Sequence, residues 1–335
     1  MKTLKEIARA AGVSVTTVSN VINGNHKRVS RETVERIQAL IDASGYIPNQ
    51  AARSLAQRES RFVAVVIQAA ENENALAQPY LATYVGALTI NLYHNGYYPL
   101  IRFTEDFHTM ESDLKGWNVA GAVFNGTFTR MLQQMGSLST VPCVFTDCYF
   151  DLPGVNHLGV DDDAGGRMAG EYLRRMGHRR AAFIGNALPD SELDQHRLAS
   201  FREGFGPDGV VRDEWILPKG DPLSQGERLD AMLRATERPT AFFCSADRIA
   251  VELMRVLAGL GWRVPEDVSV IGFDDLPMAR ISAPQLTTLA QDIDLKARMA
   301  VDMLVRHIRD RSLPPERAAL GVTLVERESV ARIGE

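Results

Sequence analysis

Over the first 45 residues the apolar positions recur with a helical period. Leu4, Ile7, Ala8 and Ala11 fall at i, i+3, i+4 and i+7, which predicts a short amphipathic helix that Gly12 ends. Ser14 offers a hydroxyl to cap a second helix, Val18, Val21 and Ile22 supply its inner face, and Asn23-Gly24 stops it. A third helix is predicted behind Ser30, with Val34, Ile37, Leu40 and Ile41 turned inward, as far as Gly45. Two helices joined by a short Gly-containing turn make a helix-turn-helix, and the third completes a small trihelical core. Pro48 to Ala56 then reads as a helix of two turns. Helices shorter than about 12 to 15 residues are marginal in water, so this one needs a partner to order it.

From Arg61 the period changes. Short β-branched runs at Phe62–Ile67, Tyr98–Phe103, Val119–Phe124 and Val141–Thr146 alternate with helical stretches such as Tyr80–His94. After Asp161 the pattern recurs: a helix through Met176, Ala181–Ile184, a helix around Phe201, Ala241–Cys244, a helix around Leu253, and Val268–Gly272. This order predicts parallel sheets with helices on both faces, and its recurrence predicts two lobes with a cleft between them. The expected fold is an N-terminal all-α helix-turn-helix headpiece followed by a two-lobed α/β domain of two doubly wound parallel sheets. Ligands of such sheets sit beyond the carboxyl ends of the strands, and those ends carry Asn125, Asp147, Asp161, Asp247 and Asp274.

Composition narrows the function. With 335 residues, 45% of them apolar and 24% charged, the chain has material for more than one core and is not a disordered protein. No apolar run approaches the roughly 18 residues of a membrane span, and Met1 to Val13 lacks a secretory stretch, so a cytoplasmic protein without a membrane partner is expected. Cys143, Cys148 and Cys244 have no zinc-ligand spacing and are expected as buried thiols. The histidines are scattered, and Trp117, Trp215 and Trp262 read as packing residues. Gly204 to Gly209 matches G-x-G-x-x-G, but it follows a helix and contains Pro207, so the dinucleotide reading fails its context. With no phosphate-binding loop and no nucleophile elbow, neither a cofactor nor catalysis is expected.

Charge restores a partner that the total conceals. The net charge is −5, yet residues 1 to 60 hold nine basic side chains against five acidic ones, and the remainder 28 against 37. A basic head on an acidic body fits a nucleic-acid reader. The outer face of the second helix carries Val15, Thr16, Thr17, Ser19 and Asn20, compact groups suited to base edges. In the short segment Leu55 reads either as a wedge into a minor-groove base step, with Asn49 and Arg53 near the backbone, or as an incidental residue of a linker.

The segments LKEIARAAGVSVTTVSNVING and VSRETVERIQALIDASGYIPNQAARSL resemble the headpiece and hinge helix of the LacI/GalR family of transcription regulators. PEDVSVIGFDDLPMARISAPQLTTL, Pro265 to Leu289, resembles the family's effector domain, itself similar to periplasmic sugar-binding proteins. The resemblance implies a headpiece at 1–46, a hinge at 47–60 and an effector-binding and dimerisation domain at 61–335. It further implies an N-lobe of about 61–160 with 290–320, and a C-lobe of about 161–289 with 321–335. Val15, Thr16 and Asn20 would read the major groove, Thr17 would hold phosphate, and Leu55 would be the wedge. Val15 and Asn20 differ from the best-known members, so the operator sequence does not carry over. Asp147, Arg197 and Asp274 fall where members hold their effector, with Asn125 and Asp247 nearby and Tyr80 offering a ring. Ala246 stands where some sugar-binding members have an amide, and Pro222 where several have an aromatic platform.

The implied function is a ligand-responsive repressor, a homodimer on a near-palindromic operator, with a sugar or sugar derivative as effector. The chain leaves Glu326 to Ser329 without apolar heptads, so dimers are expected rather than tetramers. The alternative is an α/β sugar- or nucleotide-processing enzyme with an accessory DNA-binding head, for which no catalytic constellation is present.

Overall fold

A computed structural model describes residues 3–22, 24–26, 29–46, 60–69, 74–104, 110–126, 141–149, 154–185, 191–218 and 226–334. The chain divides into two compact units, Met1–Ser60 and Arg61–Glu335.

The first unit holds α1 (Leu4–Ala11), α2 (Val15–Ile22) and α3 (Arg31–Ser44). Each begins on a side-chain cap: Thr3 and Glu6 exchange bonds in a capping box, Ser14 Oγ accepts from Thr17 N at 3.1 Å, and Ser30 Oγ accepts from Thr33 N at 3.3 Å. Gly12 and Gly45 end α1 and α3 at φ of 67° and 60°, a left-handed conformation that glycine adopts without steric penalty. Ile7, Ala8, Ala11, Val18, Val21 and Ile37 form the core. Val34, Leu40 and Ile41, expected inside, are only half-buried, because three short helices cannot enclose so wide an apolar face. The helix expected from Pro48 to Ala56, with Asn49, Arg53 and Leu55, lies outside the described residues.

The second unit starts with β1 (Phe62–Gln68), α4 (Pro79–His94), β2 (Tyr98–Thr104), α5 (Met110–Gly116), β3 (Gly121–Asn125), β4 (Cys143–Thr146) and β5 (Asn156–Val160). It continues with α6 (Asp162–Arg175), β6 (Ala181–Gly185), α7 (Glu192–Phe205), β7 (Ile216–Pro218), α8 (Gly226–Arg234), β8 (Ala241–Cys244), α9 (Asp247–Gly259), β9 (Ser269–Asp274) and α10 (Pro277–Ile281). The last elements are β10 (Thr287–Ala290), α11 (Ile293–Arg309), β11 (Arg317–Leu320) and β12 (Thr323–Val325). Among the described residues they build two six-stranded sheets, ordered β11-β5-β4-β3-β1-β2 and β12-β10-β9-β8-β6-β7. The pairing is parallel throughout except for β12, which runs antiparallel to β10. The chain therefore passes between the sheets after β5, after β10 and after β11. Central strands such as β3, β8 and β9 are buried along their whole length, as a sheet covered on both faces requires.

One packing detail places the site. A Cβ at Gly166 of α6 would overlap Ser200 Oγ and the Arg197 carbonyl of α7, and one at Gly204 of α7 would overlap the Arg167 carbonyl of α6. Only glycine lets the two helix backbones approach so closely, and the approach seats Arg197 against Asp162. Gly204 and Gly206 thus belong to a helix crossing and a helix end. Cys143, Cys148 and Cys244 are buried thiols in no disulfide among the described residues, Trp215 is buried, and Trp117, expected to pack, is 36% exposed on the turn after α5.

Candidate functional site

Two regions carry candidate chemistry. On α2, Val15 is 42% exposed and Thr16 is also exposed, so both stand clear of the core. Thr17 is half-buried, with its hydroxyl 2.9 Å from Ser14 Oγ. Ser19 and Asn20 are half-buried as well. The small side chains and free methyl groups of this face suit contact with base edges.

The second region is a cavity of about 130 Å³ at the carboxyl ends of strands from both sheets, the place where ligands of such sheets sit. Asp147 follows β4 at φ 56°, and Asp274 ends β9 at φ 121°. Such backbone is strained by about 1 to 3 kcal/mol for a residue with a Cβ, and it turns both carboxylates into the space beyond their strands.

On the first sheet's side, Tyr80 Oη donates to Asp147 Oδ2 at 2.9 Å and Asn125 Nδ2 donates to the same oxygen at 2.8 Å. Lys296 of α11 forms an ion pair with Asp147 Oδ1 and donates to Tyr80 Oη at 2.7 Å. Burial opposes the charge on Asp147, but Lys296 and these hydrogen bonds outweigh it and hold the carboxyl below its ordinary range.

On the second sheet's side, Arg197 Nε donates to Asp162 Oδ1 at 2.7 Å, its Nη1 donates to the Ser245 carbonyl, and its guanidinium lies 3.4 Å above the Phe273 ring centroid. Tyr149, beyond β4, donates to Asp162 and so ties the first sheet to the second. Gln291 donates to Asp274 Oδ1 at 2.6 Å. Burial pushes the Asp274 carboxyl up to about 7 despite the nearby Arg197 charge.

The cavity therefore gathers Tyr80, Asp147, Arg197 and Asp274 in its lining. Asn125 stands one layer behind, braced against Asp147 and Thr146. Asp247, expected as a ligand contact, is not in the lining. Its Oδ2 accepts from Leu276 N at 2.7 Å and its Oδ1 from the Thr288 hydroxyl at 2.5 Å, so it anchors α9 to the sheet instead. Ala246 lines the cavity and caps α9 without a side-chain bond. Lys296, Gln291, Asp162 and Tyr149 were not singled out from sequence. Lys296 had a signal: it sits on the stripe of Ile293, Ala297, Ala300 and Val301, a charged residue on a buried helical face.

Residues 3–49 match the family described as bacterial regulatory proteins, lacI family, and residues 171–330 match a periplasmic binding protein-like domain. The HTH-type transcriptional regulator CelR of Thermobifida fusca is 32% identical over 338 residues, 98% of each chain. The chain belongs to the LacI family. The HTH-type transcriptional repressor PurR of Pectobacterium carotovorum is 31% identical over 345 residues, 99% of this chain and 97% of PurR. Among solved structures, the Lac repressor dimer bound to operator and the anti-inducer ONPF superposes with a TM-score of 0.86 at 25% identity, covering 98% of this chain and 99% of that one. The CelR–cellobiose complex gives 0.71 at 29% identity, covering 98% of this chain and all of the other. As a LacI-family member the protein is a DNA-binding transcription regulator. No helix among the described residues is long and apolar enough to cross a membrane.

Proposed function

We propose that the protein is a homodimeric repressor whose grip on a near-palindromic operator is set by a sugar or sugar derivative held in the cavity of the second unit. The observation that carries this reading is the convergence of Asp147 and Tyr80 from one sheet with Arg197 and Asp274 from the other on a single polar cavity. Carboxylates accept from vicinal hydroxyls and a guanidinium donates a fork, the combination that grips polyhydroxylated ligands. A relative solved with cellobiose and another named for a ribose operon support a carbohydrate. Val15, Thr16 and Asn20 read bases, Thr17 meets phosphate, and the hinge at 47–60, with Asn49, Arg53 and Leu55, transmits the effector's state to the headpiece.

Dimerisation is supported by the first sheet's edge. Ile90 and Tyr93 of α4 and Tyr98 and Ile101 of β2 are 40% to 66% exposed, and β2 is an edge strand. Apolar groups on an open edge favour a second copy as cover.

The test is selection of duplexes from a random pool by the full chain, then operator binding with and without cellobiose, D-ribose and other neutral sugars. The expected result is a preferred near-palindrome whose affinity changes about 5- to 150-fold with one sugar, which is recovered unchanged. Binding of all duplexes alike would overturn the reading, and conversion of the sugar would favour an enzyme.

A further inference from the structure

We propose that Lys296 sets the hydrogen-bond polarity of part of the cavity: bonded to both Asp147 and Tyr80, it leaves these two side chains to a ligand as acceptors only, so they select a ligand that supplies donors, hydroxyl or amine. This rests on the cavity being the effector site.

Lys296 is 1% exposed, yet its Nζ forms an ion pair with Asp147. Its ammonium pairs with Asp147 and lies 5.4 Å and 5.3 Å from the ring centroids of Tyr80 and Tyr84, which stack at 6.2 Å and 7°. A carboxylate and two aromatic faces together compensate the buried cation. The consequence lies in the protons. Tyr80 has one, which goes to Asp147 Oδ2, while its oxygen takes one from Lys296. What Tyr80 retains for a ligand is a lone pair, and an ionised Asp147 likewise only accepts.

Across the cavity Gln291 spends its NH₂ group on Asp274. Its buried Oε1 has no hydrogen-bond partner among the described residues, so that wall holds a waiting acceptor too. Arg197 and Arg248 supply donors between them. A hydroxyl, which gives and takes, satisfies such a mixture. A carboxylate or phosphate would meet Asp147 with like charge and nothing to donate.

Asp147 is faced by Lys296 from α11, by Tyr80 and Tyr84 from α4, by Asn125 and Thr146 at the ends of β3 and β4, and by His157 of β5. Asp162 and Asp274 lie further off, each facing Arg197. Lys296 is the cation bonded to it, and without that charge burial would favour the neutral acid, which donates.

The first experiment needs no ligand. In the full chain with carboxyl-¹³C aspartate, the Asp147 signal, assigned with Asp147→Asn, is followed from about pH 5 to 8 in the wild type and in Lys296→Met. Wild-type Asp147 should show no titration there, and the variant should titrate within that window, since burial without the cation favours the neutral acid. Equal behaviour of the two proteins overturns the proposal. Should Lys296→Met not fold, Tyr80→Phe retains the ion pair but removes an acceptor. Asp147 should then stay ionised and sugar binding weaken about tenfold, and unchanged binding would overturn the proposal.

The second experiment compares cellobiose, D-ribose and D-glucosamine with D-glucuronate and ribose 5-phosphate by thermal shift. Neutral or amine probes should stabilise the wild type and the anions should not. Anions that stabilise it equally overturn the donor requirement. If no probe of either kind shifts the protein, the sugar reading fails, and the carboxyl titration alone decides the role of Lys296.

Discussion

In the headpiece, the polar bonds that cap the helices join residues three apart: Thr3 with Glu6, Ser14 with Thr17 and Ser30 with Thr33. In the cavity the joined residues are 67, 149 and 216 positions apart, for Tyr80–Asp147, Asp147–Lys296 and Tyr80–Lys296. The first kind of bond forms as soon as a helix turns. The second exists only after a whole sheet has assembled, and its partners sit at low dielectric, where removing one strands another. A regulator built this way keeps its DNA reader locally robust and concentrates sensitivity where the ligand acts.

The sharpest way to break the contrast is Arg197→Ala, which leaves Asp162 buried without its counter-ion. We expect a loss of about 3 to 5 kcal/mol in the second unit together with loss of the effector response. Segment-resolved hydrogen exchange should show faster opening across 61–334, with 3–46 unchanged. A matching rise in the headpiece would mean that the two units do not unfold independently.

Next comes pH. Asp274 has a folded pKa of about 7, well above the ordinary carboxyl range, because of its burial, and Asp247 is raised in the same direction by burial and by the charge of Asp274. A group whose pKa rises on folding contributes stability below its unfolded value and loses it as pH climbs through the folded one. The second unit should therefore lose stability between about pH 4 and pH 7 from Asp274, with Asp247 acting in the same direction. Asp274→Asn should flatten that decline in thermal midpoint, and a decline of wild-type steepness would exclude Asp274 as its source.

A smaller effect is expected from Gly204→Ala. The added methyl collides with the Arg167 carbonyl, forces α6 and α7 apart, and should destabilise the second unit by about 1 to 3 kcal/mol in urea unfolding. Because the shift moves Arg197 relative to Asp162, effector affinity should fall with stability. Smallest is Ser14→Ala, which removes the α2 cap at about 1 kcal/mol. Exchange should quicken in α2 alone. Spread of the effect into 61–334 would erase the distinction between the units.

Much of this architecture is legible in the order of the residues. Ser14, Ser30, Gly12 and Gly45 mark helix ends because capping is chemistry between near neighbours. Strands such as Ala241–Cys244 stand out as buried apolar runs. The strands β5, β10, β11 and β12 do not. Arg317-Ala-Ala-Leu320 has neither β-branching nor alternation, and pairing with β5 makes it a strand. Strand-end position singles out Asp147 and Asp274, which line the cavity, together with Asp247, which does not, since position along a chain does not say which way a carboxylate turns.

The residue pattern by itself determined where the three headpiece helices and the central apolar strands lie, much of the small headpiece core, and that strand ends would carry carboxylates. Those properties follow from periods of a few residues and from chain-local bonds. Tertiary structure alone decided that Lys296 neutralises Asp147, that Asp162 serves Arg197 and Tyr149 together, and that Asp247 faces inward. Protonation and hydrogen-bond direction depend on burial and on partners brought from far along the chain, and these have no value until the sheets have closed around them.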